Sequence, residues 1–334
     1  MSKILKILFL LVGLFLFVWS LQTVDTTKVF QLLMELGGGF LLIMAVYGVV
    51  TWIDTVAWKF SFEPEEASRF SLWQLWRIRQ IGEAYNTITP LGTVGGEPVK
   101  AQLLKDYHNL SFKQGLASQV IARTTFLTGL ILFFIPGIFM IFGSRFATEE
   151  FKYVSVVAMG VFSLLIFLFF LFQITGMLGV LASWAGRLFR IPREQGFLNQ
   201  LHVLDGLMSR YYKEHPGRAF LSILLAFLGW VVGLGELYLT FYFLGLDPSL
   251  TKLWIIEGLA QFIRVGTFFI PLSIGAQEGG LILIFKSMGM TADLGLTVSF
   301  VRRIKELVWV VFGLLMGWAL AFKPTAIQTD ASEG

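Results

Sequence analysis

The chain of 334 residues contains no cysteine and only three histidines, and 14% of its residues are charged. The absence of cysteine excludes disulfides, thiolate catalysis and cysteine metal sites. The histidines, His108, His202 and His215, are not spaced as metal ligands, so we expect neither a metal nor another cofactor. A soluble domain carries about 25% charged residues, so the low charge content argues against an ordinary soluble protein.

Several catalytic motifs are also missing. The sequence has no P-loop, which indicates that the chain does not hydrolyse a nucleotide itself. It has no Gly-x-Ser-x-Gly elbow, no His-Glu-x-x-His pair and no aspartate-rich metal motif. We therefore expect no catalytic residues and a function other than catalysis. The net charge of +4 reflects membrane topology, as argued below, and does not predict nucleic-acid binding.

The sequence is rich in apolar residues, which make up 56% of it and give a mean hydropathy of +0.73. Several apolar stretches are long enough to cross a bilayer. The sequence thus predicts an all-α integral membrane protein, with residues 1–334 forming a single polytopic membrane domain. The predicted spans are about six, at 4–21, 36–58, 114–142, 153–181, 218–244 and 295–321.

One motif occurs twice. Residues 89–97 read TPLGTVGGE and residues 270–278 read IPLSIGAQE, with proline and glutamate seven residues apart in both. Further along, Gly115 and Arg123 match Gly295 and Arg303. The offset of about 180 residues defines two repeat copies, at about 77–143 and 257–322.

Both copies interrupt the apolar chain with glycine and proline, over about 80–106 and 257–288. Each segment is predicted to be a re-entrant helical hairpin or a pair of half-helices. Non-helical backbone at membrane depth is tolerated only where it is buried in protein or lines a wet cavity. Two such breaks at equivalent places are typical of a transporter with its site between the copies. The alternative is that each proline and glycine only forms a tight buried turn.

The positions of lysine and arginine predict the orientation. With the N-terminus in the cytoplasm, sixteen of these residues fall inside and five outside, so both termini are predicted to be cytoplasmic, in the cell (plasma or inner) membrane. The repeat is then inverted, unless a hairpin crosses the membrane fully and makes it parallel. Residues 187–217 form a cytoplasmic loop, read either as an amphipathic helix on anionic lipid or as an ordinary basic loop. Residues 324–334 are predicted to be a disordered tail.

Arginines within the membrane region are the strongest functional candidates. A central arginine costs at least about 2.5 kcal/mol on insertion scales, so it must face protein or water. Glu306, Glu97 and Glu278 are candidate partners, which leaves two readings: a closed structural ion-pair network, or a basic cavity for a lipid phosphate. The predicted substrate-binding residues are Pro90, Gly95, Gly96, Glu97, Arg123, Arg264, Pro271, Glu278, Arg302, Arg303 and Glu306.

Residues 90–100, with the pattern Pro-x-Gly-x-x-Gly-Gly-Glu-Pro-Val-Lys, resemble the first signature of the flippase-like family, also named for the membrane region of lysylphosphatidylglycerol synthase. Residues 270–278, followed by Gly289 and Arg303, resemble its second signature. The resemblance covers about 5–322 and implies a protein that moves lipids between leaflets or accompanies lipid-modifying systems, including hopanoid and cardiolipin pathways. Two departures matter. The aminoacyl-transferase domain of the synthase has no counterpart here, and the second copy reads Gly-Ala-Gln-Glu where a glycine-rich turn is usual.

Three functions follow as hypotheses. The first is a flippase or scramblase-like translocase for a phospholipid or another phosphate-bearing lipid. The second is a non-catalytic lipid-binding subunit that docks a lipid-biosynthesis enzyme through the basic loop. The third is a membrane enzyme acting on a lipid-linked phosphate or sugar. The expected partners are membrane lipids and no nucleic acid, and the sequence specifies no oligomeric state.

Overall fold

The computed structural model describes residues 25–88, 95–144, 148–175, 195–267 and 273–321, together with Met177 and Ile270. Over these residues the chain forms twelve helices and no strand, which confirms the predicted all-α fold. In chain order the helices are α1 (Thr26–Leu36), α2 (Gly39–Phe60), α3 (Pro64–Ala67), α4 (Leu72–Ile88), α5 (Gly96–His108), α6 (Phe112–Gly143), α7 (Glu149–Thr175), α8 (Gln195–Glu214), α9 (Pro216–Phe243), α10 (Leu250–Gly266), α11 (Ala276–Ser287) and α12 (Ala292–Ala321).

Four helices in the described part of the chain, α2, α6, α7 and α9, are long and apolar enough to cross a membrane. They match four of the predicted spans, from 36–58 to 218–244. Helix α12, of 30 residues, covers the last predicted span. The predicted first span, at 4–21, and the tail at 324–334 lie outside the described residues. The total of six spans therefore stays a prediction.

The first broken segment consists of α4 and α5, which pack against each other. Helix α5 begins immediately after Gly95, and Asn86 on α4 caps it: the backbone N–H of Gly96 donates to Asn86 Oδ1 at 2.6 Å. A Cβ at Gly96 would overlap the carbonyl oxygen of Gly82, so only glycine allows this approach of the two half-helices. Pro90 lies outside the described residues.

The second broken segment consists of α10 and α11, which also pack against each other. Between them Ser273 and Gly275 have φ values of 48° and 78°, in the left-handed region. Glycine adopts that conformation readily, whereas serine does so rarely. Gly275 is the one glycine between the proline and the glutamate of the second motif, where the first motif has three, Gly92, Gly95 and Gly96. Pro271 lies outside the described residues.

The two repeat copies exchange contacts. Each second half-helix packs on the long helix that follows it: α5 on α6, and α11 on α12. Each first half-helix packs on the long helix of the other copy: α4 on α12, and α10 on α6. Gly115 and Gly295 play matching parts, since a Cβ at either would come within 2.9 Å of the half-helix before it. Small residues permit such close helix contacts in membranes. Whether the copies are inverted or parallel stays a prediction.

Helix α8 contains most of the described part, 195–217, of the loop predicted at 187–217. Its Met208, Tyr211 and Tyr212 are buried in a cluster with residues of α6. The Tyr211 hydroxyl donates to the carbonyl of Phe60 at 2.5 Å, and the Tyr212 hydroxyl donates to Gln173 at 3.0 Å. This face of the helix is occupied by protein and is unavailable to lipid.

Candidate functional site

Residues of both broken segments line a cavity of about 270 Å³. It is lined by α2, α4, α5, α6, α9, α10 and α12, so both repeat copies contribute to it. Small-molecule pockets commonly measure about 300–1,000 Å³, so this cavity suits a compact polar group better than a whole lipid. The apolar part of its wall includes Trp58, Phe126, Leu127, Trp230 and Val265.

Twelve charged side chains line the cavity, six of each sign. The carboxylates are Asp54, Glu83, Glu97, Glu236, Glu257 and Glu306, and the cations are Arg79, Lys100, Arg123, Arg264, Arg302 and Lys305. Charges at membrane depth are costly unless they are paired or hydrated. Their concentration around one cavity indicates that the cavity is the polar centre of the described part of the protein.

Besides the Lys100–Glu83 pair described below, four ion pairs join lining residues across helices. Arg79 on α4 contacts Asp54 on α2 at 2.6 Å. The remaining pairs involve α12 and are Arg302–Glu257 at 2.5 Å, Arg264–Glu306 at 3.2 Å and Lys305–Glu236. These pairs hold α12 to α9 and α10, as the structural reading of the arginines expects.

Lys100 on α5 lies between two carboxylates. Its Nζ donates to Glu83 at 2.6 Å and to Glu97 at 3.0 Å. The side chain is 5% exposed, although its position in the sequence predicts a cytoplasmic charge. Gly82 makes the burial possible, because any Cβ there would overlap the methylenes of Lys100.

Glu97 is held in a hydrogen-bonded frame. The Asn86 amide donates to it at 3.2 Å. The Gln119 amide donates to it at 3.0 Å in the orientation that also accepts from Trp58 Nε1 at 3.3 Å. Charge-assisted hydrogen bonds of this kind fix a carboxylate in place. Glu97 is thus oriented on the cavity wall by α4, α5 and α6.

Arg123 differs from the other lining cations, since among the described residues it makes no ion pair. It lies eleven residues after the start of α6, or about 17 Å along the axis at 1.5 Å per residue. Its guanidinium lies 5.9 Å from the Phe126 ring centroid, and its surface is exposed. A guanidinium stacked on a ring keeps its N–H edges available for an anion.

The second copy uses its matching residues differently. Glu278 is 1% exposed and accepts from the backbone N–H of Gly275 at 2.6 Å, which caps α11. Its other oxygen accepts from Arg303 at 2.9 Å, and Arg303 also contacts Glu306 at 3.3 Å. Arg303 and Glu278 are absent from the cavity lining. The Glu278–Arg303 ion pair links α11 to α12, and we call it the clasp.

The predicted binding residues that the structure describes therefore divide into three groups. Arg123, Arg264, Arg302, Glu97 and Glu306 lie together around the cavity. Gly95 and Gly96 form the start of α5, and Arg303 and Glu278 lie outside the lining. Pro90 and Pro271 are not described.

Sequence reasoning missed the partners that complete the charge pattern. Asp54 lies near the end of one apolar stretch and Glu236 within another, and nothing in the sequence relates them to each other, yet both line the cavity and are paired. Arg79 and Lys100 lie in segments that the sequence predicts to be cytoplasmic, yet both also line the cavity. An acidic residue within each of two mainly apolar helices, α2 and α9, was the feature of the sequence that could have indicated these two lining residues.

In the part of the chain that the structure describes, no group of three or more histidine, cysteine, aspartate or glutamate side chains could hold a metal ion. The charged residues that line the cavity offer charge complementarity toward an organic anion or zwitterion. Guanidinium groups bind phosphate bidentately, and carboxylates accept from amines.

Comparison with known proteins gives a family for the chain. Two proteins of Methanothermobacter thermautotrophicus, each named UPF0104 membrane protein, are similar to it. The first is 26% identical over 240 residues, which cover 67% of this chain and 68% of that protein. The second is 27% identical over 244 residues, which cover 67% and 66%. No solved structure matches. The model of the lysylphosphatidylglycerol synthase TM region family matches residues 4–314, and the chain belongs to that family.

Proposed function

We propose that this protein translocates a phospholipid or another phosphate-bearing lipid between membrane leaflets, as a flippase or scramblase-like transporter and not as an enzyme. The observation that carries the proposal is Arg123, a cation without an ion pair among the described residues, which lines a cavity between the two repeat copies. The family supports a membrane role connected with lipids.

The phosphate of a lipid is the natural ligand of an available guanidinium. Arg123 presents a planar fork of donors that fits two phosphate oxygens. The lipid phosphate would therefore lie at Arg123, at the depth of the cavity.

The size and lining of the cavity favour entry of the head group alone. A volume of about 270 Å³ excludes long acyl chains. Trp230 and Phe126 provide an apolar wall beside Arg123, along which the first methylenes of the lipid can pack. The remainder of each chain would stay in the bilayer.

Movement between leaflets requires contacts that can exchange. Arg264 is 52% exposed and contacts Glu306, which Arg303 also contacts. Because Glu306 keeps a second partner, Arg264 can leave it for a phosphate without leaving a bare carboxylate behind. Arg264 would be the second phosphate contact on the path, on the other repeat copy.

The sequence has no nucleotide-binding motif, so we propose movement that is downhill or coupled to an ion gradient. The proposed location is the cell membrane, with both termini in the cytoplasm. In that orientation each half-helix pair would open the cavity toward one side of the membrane.

The test measures lipid movement in vesicles that contain the purified full chain. Fluorescent phospholipids are distributed over both leaflets, and a membrane-impermeant quencher is added outside. In empty vesicles about half of the fluorescence stays protected. We expect the protein to expose the protected half, and Arg123→Ala to slow this at least about tenfold, the loss for one charge-assisted contact.

Lys113→Ala is the matched control. Lys113 lies on the same helix as Arg123, is exposed and does not line the cavity, so its loss should leave the rate unchanged. Equal rates in wild type and in monodisperse Arg123→Ala protein would contradict the proposal. Absence of lipid movement for anionic, zwitterionic and polyprenyl-phosphate lipids, with and without an ion gradient, would also contradict it.

A further inference from the structure

The charges of the cavity cancel, and this constrains the ligand. Six carboxylates and six cations line it. Five of the cations contact lining carboxylates, and Lys100 contacts two of them. One cation, Arg123, and one of the two carboxylates at Lys100 therefore remain in surplus. The cavity offers one positive and one negative position to a ligand.

Glu83 is the carboxylate that faces the cavity at the negative position. Its side chain is 37% exposed, against 20% for Glu97 and 5% for the Lys100 between them. One oxygen of Glu83 accepts from Lys100 at 2.6 Å, and the other has only a 3.4 Å contact with the Asn86 amide. This second oxygen has capacity for a further donor.

The two surplus charges belong to one site. Arg123 and Glu83 line the same cavity. They come from α4 and α6, two helices of the first repeat copy. A ligand that spans them within a cavity of about 270 Å³ must carry its own opposite charges in one compact group.

We infer that the head group taken by the cavity is a zwitterion, a phosphodiester joined to a primary amine and neutral overall. This inference rests on the proposed function and names its substrate class. The phosphodiester contacts Arg123, and the ammonium donates to the free oxygen of Glu83. A primary ammonium has three donors, as Lys100 has, whereas a quaternary ammonium has none.

An anionic head group satisfies only half of the arrangement. It would neutralise Arg123 and leave Glu83 and Glu97 to share the single charge of Lys100, so that the occupied cavity carries one excess negative charge. An excess charge at membrane depth is unfavourable. Discrimination would therefore come from the unsatisfied carboxylate, which acts against the wrong ligand.

The experiment compares three lipids labelled on an acyl chain, so that their head groups stay intact: phosphatidylethanolamine, phosphatidylcholine and phosphatidylglycerol. The full chain is reconstituted in vesicles, and quenching rates are measured. We expect phosphatidylethanolamine to move about tenfold faster than phosphatidylglycerol, and faster than phosphatidylcholine. The wild-type comparison depends on no substitution and therefore on no variant folding correctly.

Glu83→Gln sharpens the test. Without this carboxylate the cavity gains one net positive charge, so phosphatidylglycerol should overtake phosphatidylethanolamine. A reversal of preference is a result that loss of folded protein cannot produce. Glu150→Gln, at an exposed position on α7 outside the cavity, should keep the wild-type order.

The outcomes separate two failures. If lipids move but phosphatidylglycerol matches or exceeds phosphatidylethanolamine in the wild type, the zwitterion is wrong and the proposed function stands. Equal rates for phosphatidylethanolamine and phosphatidylcholine would overturn the amine contact. If no lipid moves, the proposed function itself fails.

Discussion

Glu97 and Glu278, the glutamates that end the two repeated motifs, lie in different surroundings. Glu97 is on the cavity wall, 20% exposed, and contacts Lys100 together with two amide donors. Glu278 is 1% exposed, away from the cavity, and is occupied by a helix cap and by Arg303. Equivalent positions in the motif thus serve a polar cavity in one copy and a buried clasp in the other.

The difference extends to the first half-helices. Arg264 occupies the position in the second copy that Glu83 occupies in the first, at the same offset that relates Glu97 to Glu278. Both residues line the cavity, with opposite charge. Close packing is kept at Gly115 and Gly295, whereas the charges have diverged. A repeat can therefore keep its packing and still build a site that differs in charge between its halves.

Removing the charge of Glu278 or of Glu97, one at a time, should show the difference between the two copies most clearly. Glu278→Gln takes the charge from a buried pair, which costs about 3 kcal/mol, the low end for such pairs because Glu306 still contacts Arg303. Glu97→Gln should cost under about 1 kcal/mol, because Lys100 still has its ion pair with Glu83. The measurement is the apparent melting temperature of each purified variant in the same detergent.

The order of the melting temperatures of these two variants tests which glutamate is the buried clasp residue. A larger fall in melting temperature for Glu97→Gln than for Glu278→Gln would reverse the assignment of clasp and cavity residue. Glu150→Gln is the control for loss of a carboxylate from an exposed position on α7.

The matched glycines test the close helix packing that the two copies share. Gly115→Ala and Gly295→Ala each place a Cβ against the backbone of the preceding half-helix, so we expect each to cost about 1–3 kcal/mol. Gly160→Ala, with open space around it on α7, should be neutral or slightly stabilising. A neutral result at only one of the two matched positions would show that the packing has diverged as well.

Some of this arrangement can be predicted from the sequence. The paired proline–glutamate spacing predicts both breaks, and the breaks are found between α4 and α5 and between α10 and α11. Apolar runs predict the long helices α2, α6, α7 and α9. These features are local, because they depend on composition and on backbone preference within one segment.

The ion-pair partners could not be predicted, because they join segments far apart in the chain. Lys305 contacts Glu236, and Arg302 contacts Glu257, across helix interfaces that no local pattern specifies. Arg302 and Arg303 are neighbours, yet a helix turns them to different faces, and only the packing of α12 decides which one lines the cavity. The burial of Lys100 likewise depends on the glycine at position 82 of a different helix.

Entry of a phospholipid head group into the cavity can be measured directly, because the chain has no cysteine of its own. Gly233→Cys places a single thiol on the cavity wall, where a Cβ meets nothing within 4 Å. Ser299→Cys places one at a fully buried position outside the lining. The rate of modification by a small water-soluble thiol reagent, followed by mass spectrometry, reports access to each position.

We predict rapid modification at Gly233→Cys, slowed several-fold by a short-chain phospholipid, and no modification at Ser299→Cys. The protection should disappear when Arg123→Ala is combined with Gly233→Cys, since the phosphate then has no contact that holds it. Modification of Gly233→Cys that is unaffected by phospholipid, or protection that persists without Arg123, would contradict a cavity that binds the head group at this arginine.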